Sequence, residues 1–278
     1  MFVALICLGI QDATVKDNWV EYNRARPVAP RTRFSSRLPL SDQADANHWQ
    51  LDPTVSDEFD GGFDASKWSK GMHDWIGHEP GWFSDDDARV ANGNLQIVMK
   101  QDTAPAKLDP KIYHGYSSGA VQSRKKNLYG YFEIRAKPMK SHGSSAFFFT
   151  DNLGQWWTEI DVFEIGGTAP QWEDIDQMGV HVFRTPAEEK HWTLNSKYRH
   201  TSQLADDYHV YGLDWEPNTI QFYFDGVLVY QGKNTHWHQP LYLSLDSELM
   251  EGWYGMPTPG ELPSTFSVDY VRAWKRSS

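Results

Sequence analysis

Three carboxylates crowd the run Trp157-Thr158-Glu159-Ile160-Asp161-Val162-Phe163-Glu164, among residue types that otherwise favour β-strands. An unpaired buried acid is costly, so acids in such a setting need either a partner or a task. The flanking Trp156, Trp157, Val162 and Phe163 supply no basic partner. In a regular strand Glu159 and Asp161 share a face, whereas Glu164, an odd number of positions from Glu159, falls on the other. One bulge between Asp161 and Glu164 adds an unpaired residue and returns Glu164 to the acidic face. Two carboxylates on such a segment can flank a glycosidic bond, one attacking the anomeric carbon while the other protonates the leaving oxygen. Asp161 between them would hold the pair in different protonation states, because like charges raise the pKa of at least one member. The spacing does not say which Glu plays which part. The competing reading is a solvated strand face whose acids pair with Lys or Arg.

The elements that must position these acids are short. Asn94 to Met99, Gly130 to Ala136, His209 to Trp215, Ile220 to Phe224 and Val268 to Trp274 alternate with turn residues, the pattern of a β-sandwich or barrel. Asn92-Gly93 and Asp225-Gly226 are hairpin signals. No amphipathic helix longer than about 10 residues stands out, although Pro186 to Lys190 reads as a short helical stretch. The chain is therefore all-β, and its sheets must cover each other.

With 278 residues, one large domain is the first expectation. Residues 49–278 carry the β texture. Residues 1–48 read as an arm: the apolar run Met1 to Ile10 resembles the core of a truncated secretory signal, and the stretch that follows holds Pro27, Pro30, Pro39 and five arginines with no sustained apolar period. Removing residues 1–48 should accordingly leave a folded domain. The run Met1 to Ile10 is too short to span a bilayer, and no other segment is a candidate. The single Cys7 excludes a disulfide framework. A formal net charge of −11 argues against a nucleic-acid partner. Thirteen Trp, 13 Tyr and 14 Phe exceed what a core alone needs and suit the gripping of sugar rings.

Glu159-x-Asp161-x-x-Glu164 resembles the bulged active-site signature of glycoside hydrolase family 16, in the branch of β-agarases, porphyranases and κ-carrageenases. Asp57-Glu58-Phe59-Asp60, Asn92-Gly93-Asn94-Leu95, Tyr129 to Glu133, Trp215-Glu216-Pro217, Phe224-Asp225-Gly226 and Val268 to Trp274 are similar to family segments in the same order, so the resemblance covers roughly residues 49–275. It implies a jelly-roll β-sandwich of two antiparallel sheets with an open concave substrate cleft. It further implies Glu159 as nucleophile, Glu164 as general acid then base, Asp161 as the residue tuning Glu159, and retention of anomeric configuration. His181 matches a histidine beside the acids. Trp75, Trp82, Trp156 and Trp253 become candidate stacking platforms, and Arg124 and Glu248 candidate polar contacts. Catalysis needs no cofactor; a structural calcium at Glu58, the Gly93 carbonyl and Asp269 is the metal site the resemblance suggests, against an Asp269–Arg pair as the alternative.

The resemblance implies a secreted, periplasmic or cell-surface monomer that cleaves β-linked red-algal galactans, with agar, porphyran, carrageenan and furcellaran types all open. Sulfate esters would call for local cations, for which Arg124, Lys125, Lys126, Arg184, Lys190 and Arg199 are available. A β-glucanase of the same fold and a non-catalytic carbohydrate-binding sandwich are the competing functions. Three clustered acids weigh against the latter, since a binding module gains little from carboxylates that repel each other.

Overall fold

Eighteen strands, numbered along the chain, form two sheets in the computed structural model, which describes residues 18–277 apart from residues 25 and 189. The apolar run Met1 to Ile10 lies outside the described residues. One sheet runs β1 (Val20–Glu21), β16 (Val227–Lys233), β15 (Thr219–Phe224), β14 (His209–Trp215), β9 (Gly130–Lys137), β18 (Ser264–Arg276), β6 (Asn94–Asp102), β7 (Gly115–Ser118) and β4 (Trp82–Phe83). To it β2 (Trp49–Leu51) adds at β18 and β5 (Ala88–Ala91) at β6. The other sheet runs β13 (Trp192–Arg199), β12 (Ile175–Arg184), β11 (Trp156–Ile165), β10 (Ser144–Leu153), β17 (Leu241–Glu248), β8 (Ala120–Asn127) and β3 (Trp68–Lys70). This is the expected jelly-roll sandwich. Neighbouring strands are antiparallel except β4 and β7, which run parallel.

Alternation along each strand builds the core between the sheets. Phe147 and Phe149 of β10, Ile160 and Ile165 of β11, Val180 and Val182 of β12, and Leu243 and Leu245 of β17 are buried against Phe132, Ile134, Leu213, Trp215, Phe266 and Val268. The side chains between them are left for the outer face of the seven-stranded sheet. Both hairpin signals fold as read: Asn92 and Gly93 join β5 to β6 with φ of 56° and 69°, and Asp225 and Gly226 join β15 to β16 with φ of 47° and 78°. Two successive positive φ values match the strand twist, and only Asn, Asp and Gly accept them readily.

The helical stretch expected at 186–190 is instead a tight turn. Thr185 N–H donates to the Glu188 carbonyl at 2.7 Å, so the short link between antiparallel β12 and β13 has no room for a helical turn. Residue 189 lies outside the described residues.

The arm is packed more closely than its composition suggests. Trp19 sits against Tyr230, Trp237 and Phe222, with ring centroids at 4.9, 6.1 and 6.4 Å, and β1 extends the larger sheet through β16. Arg33 and the Leu40 amide both donate to the carboxylate of Glu133, a fully buried acid of β9. The Trp274 indole closes the contact by donating to the Arg37 carbonyl at 2.7 Å.

Candidate active site

The bulge required by the odd spacing is present in β11. Phe147 of β10 faces Phe163 and the next residue, Phe148, faces Asp161, so Val162 has no partner there. On the other side of β11, Asp161 faces Gly179 and Glu164 faces Gln177, a shift at the same place. Ile160, Val162, Phe163 and Ile165 consequently all point into the core, while Glu159, Asp161 and Glu164 line one cleft. Each buried aliphatic or aromatic side chain contributes ~1.5–3 kcal/mol, so a register slip that exposed these four and buried the acids would be strongly disfavoured.

Rows across the sheet complete the cleft floor. Glu159 stands between Thr150 and His181; Asp161 stands between Phe148 and Gly179; Glu164 stands between Ala146 and Gln177. On its far side Ala146 faces Asp246 of β17, a buried acid that the sequence reading did not single out. Two residues on, Glu248 faces Ser144 and forms the end of the floor. The cleft above holds about 390 Å3, within the ordinary range of small-ligand sites of ~300–1,000 Å3. Trp75 and His78 wall one side, with Trp157 and Phe183, stacked at 4.0 Å, lining it elsewhere.

This setting raises Glu159, Asp161, Glu164 and Asp246. Burial, reinforced by the charge of Asp161, pushes Glu159 up to about 8, although the charge of His181 and a hydrogen bond from Thr150 oppose it. Burial likewise pushes Asp161 up to about 8. Glu164 goes well above the usual carboxylate range through burial and then the charges of Asp161, Glu159 and Glu248. Asp246 follows for the same reasons, with burial first and Glu248 next. Burial and mutual repulsion thus favour the protonated form of each of these acids, which suits the one that must donate a proton. His181 lies beside them: its Nε2 is 3.1 Å from Asp161 Oδ2, and its Nδ1 is 3.2 Å from His191 Nε2.

Not every candidate belongs to this cleft. Trp75 lines it, and Glu248 does too, but both oxygens of Glu248 are engaged by Trp75 and His78. Trp82 is buried in β4 of the opposite sheet and is a core residue. Trp156 is exposed at the start of β11 and does not line the cleft; its neighbour Trp157 does, two residues before Glu159 and so on the same pleat. Trp253 instead packs against Trp172 and Tyr254 in the helical turn α1 (Glu251–Tyr254). Arg124 turns away to donate to the Ala65 carbonyl at 2.6 Å.

Of the cations suited to sulfate, Lys126 pairs with Asp151 at 2.8 Å and Arg184 donates to Asn152, both partners being cleft-lining residues. Arg199 is committed to Asp174 at 2.5 Å, Lys125 donates to Thr54 at 3.1 Å, and Lys190 is exposed outside the cleft lining.

The residues suggested for calcium do not fit it as arranged. Arg272 donates to both oxygens of Glu58, at 2.7 and 2.8 Å, and Arg135 pairs with Asp269 at 2.9 Å. The negative charge a calcium ion would need is already matched by guanidinium groups.

The family model "Beta-porphyranase A-D, GH16 domain" matches residues 49–276. Beta-porphyranase B of Zobellia galactanivorans is 30% identical, covering 82% of this chain and 85% of its own length. Glucan endo-1,3-beta-glucosidase A1 of Niallia circulans is 27% identical over 96% of this chain, which spans only 44% of that protein. The crystal structure of porphyranase B from Zobellia galactanivorans matches with a TM-score of 0.73 at 27% identity, over 83% of this chain and 94% of that one.

Proposed function

Because the chain belongs to glycoside hydrolase family 16 and is a glycoside hydrolase, we propose that it cleaves a β-linked red-algal galactan internally, with retention, by double displacement. The observation that carries the proposal is the β11 bulge, which sets Glu159, Asp161 and Glu164 on one cleft floor. Glu159 attacks the anomeric carbon as Glu164 gives its proton to the departing oxygen, forming a glycosyl-enzyme ester. Glu164, now a carboxylate, takes a proton from water, whose oxygen attacks the same carbon and releases Glu159. Asp161 lies between Glu159 and Glu164 on the same face, and its charge tunes the ionisation of Glu159. A galactan is supported by the porphyranase description of the family model and by the porphyranase B relative. A polymeric substrate supports action outside the cytoplasm, by a secreted, periplasmic or cell-surface monomer.

The glucanase relative at 27% identity favours a second reading, action on laminarin or mixed-linkage glucan. Reducing-sugar release from agarose, porphyran, κ-carrageenan, furcellaran, laminarin and lichenan separates the two, and activity on glucans alone would reject the galactan. Anomeric proton signals of the first product then decide retention. Glu159→Gln and Glu164→Gln should each lose several orders of magnitude in kcat while staying folded, beyond the ~10²–10⁴ of acid–base help alone for the nucleophile. Tight binding without turnover by the wild type would make the protein a carbohydrate-binding sandwich.

A further inference from the structure

The wall of the cleft opposite Trp157 is formed by the loop between β3 and β4, and that loop is tied to the catalytic sheet at one buried carboxylate. Glu248, the last residue of β17, accepts a hydrogen bond from the Trp75 indole on one oxygen, and its other oxygen lies 2.6 Å from His78 Nδ1. The Trp75 and His78 rings meet edge to face at 4.9 Å, which closes a three-residue cluster. Trp75 is nevertheless 44% exposed, so the ring is fixed at its polar end and open to the cleft along its body. Glu248 is itself buried, and each oxygen already has one partner in this loop, which leaves little of it open to a sugar hydroxyl. The arrangement instead suits a carboxylate that orients an aromatic platform.

We propose that Glu248 and His78 form a latch that holds Trp75 as a wall of the cleft, so that the protonation of His78 controls how tightly the enzyme holds its polysaccharide rather than how fast it breaks the bond. The titratable groups that face His78 are Glu248 of β17, Glu164 of β11 and the adjacent Glu79. Burial of the ring works against its charge, but the hydrogen bond and charge of Glu248, first among the opposing causes, outweigh it and raise the His78 pKa above its ordinary 6.5. The charged latch is thus complete below the ordinary imidazole value and is lost as pH rises through the raised one. A neutral imidazole keeps at most the hydrogen bond, and the charge-assisted part of the contact disappears. Neither His78 nor Trp75 lies among the acids on β11, so the loss falls on binding.

The latch rests on the proposed hydrolysis, and two readouts keep the failures apart. On whichever polysaccharide the wild type cleaves, kcat and KM are measured separately between pH 5 and 9. His78→Gln should raise KM by about tenfold near pH 6 and flatten its rise with pH, with kcat changing by no more than about threefold. Trp75→Phe keeps a ring and loses the indole donor; it should raise KM in the same direction, and its effect should shrink when combined with His78→Gln, because the two act through one carboxylate. A wild-type KM profile in His78→Gln, or a fall in kcat at constant KM, overturns the latch. Histidine side-chain NMR of the resting protein needs no substrate: the resonance missing from His78→Gln should titrate above 6.5 in the wild type and at lower pH in Glu248→Gln. An unchanged midpoint in Glu248→Gln also overturns the latch. A wild type that cleaves nothing sinks the hydrolase reading, and the NMR midpoint still decides whether the Glu248–His78 coupling exists.

Discussion

Gly179 stands directly across the ladder from Asp161, and a β-carbon added there would lie 3.1 Å from Asp161 Oδ2 and 2.6 Å from Asn195 Oδ1. A glycine at this place keeps the cleft floor open behind the middle acid. Gly179→Ala should lower kcat by about ten- to a hundredfold through displacement of Asp161, with a small change in melting temperature. Adding Asn195→Ala frees the tighter contact and should restore only the stability. A Gly179→Ala variant with wild-type kcat would show that the Asp161 position is not critical.

The bulge offers a more direct test of the acid row. β10 and β12 both shift register at Asp161–Glu164 or its facing residues, so deleting Val162 would remove the irregularity from both ladders at once. Alternation then keeps all three acids on one face, at the expense of one buried aliphatic side chain worth ~1.5–3 kcal/mol. The deletion should yield a folded protein with measurable activity, whereas Ile160→Pro, which takes a ladder donor from a residue paired on both sides, should not fold stably. Thermal unfolding of the two variants checks this, and equal damage from both would contradict it.

How much of this was legible follows from where each signal sat. The bulge could be read because the parity of Glu159, Asp161 and Glu164 conflicts within a single short run. The same parity carries Trp157, two residues before Glu159, and Asp246, two before Glu248, onto the cleft face. Trp82 could not be placed: two-residue β4 is too short to show which side faces the core. The commitment of Glu58 and Asp269 to Arg272 and Arg135 is a matter of tertiary geometry between side chains up to 214 positions apart, which no local pattern reveals.

The docking of the arm is hard to read in the sequence because its anchors are few and widely spaced. Trp19, Arg33 and Leu40 each reach a buried partner, yet no window of sequence joins them into an apolar period. Deleting residues 1–48 would leave Glu133, fully buried, without Arg33 or the Leu40 amide, and would uncover Trp237 and Tyr230. Stripping partners from a buried charge typically costs ~3–5 kcal/mol. The truncated protein should therefore unfold well below the full chain or fail to fold, and Arg33→Met should reproduce part of the loss. A truncated domain with the full chain's melting temperature would return the arm to the status of an appendage.

The row of raised acids predicts how stability depends on pH. Burial first, and the charge of Asp161 next, lift Glu159 from 4.5 to about 8; Asp161 rises from 3.8 to about 8 through burial, and Glu164 and Asp246 rise as well. In the unfolded chain these groups ionise near their ordinary values, so between about pH 4 and 8 the folded state holds protons that the unfolded state has released. Stability from this source is complete below the unfolded pKa and is lost as pH rises through the folded one. Each pKa unit corresponds to ~1.4 kcal/mol, but groups sharing one cleft divide the shift among them, and a single substitution recovers part of it. Glu159→Gln, neutral at every pH, should thus match the wild type near pH 5 and exceed it at pH 8 by about 2 kcal/mol, or roughly 5 °C in melting temperature. Glu164→Gln should show the same divergence, while its activity on the cleaved polysaccharide is lost at both pH values. Melting curves of wild type and both variants at pH 5 and pH 8 decide it: a constant offset would mean that these carboxylates are ionised in the folded protein across that range, as they are in the unfolded chain.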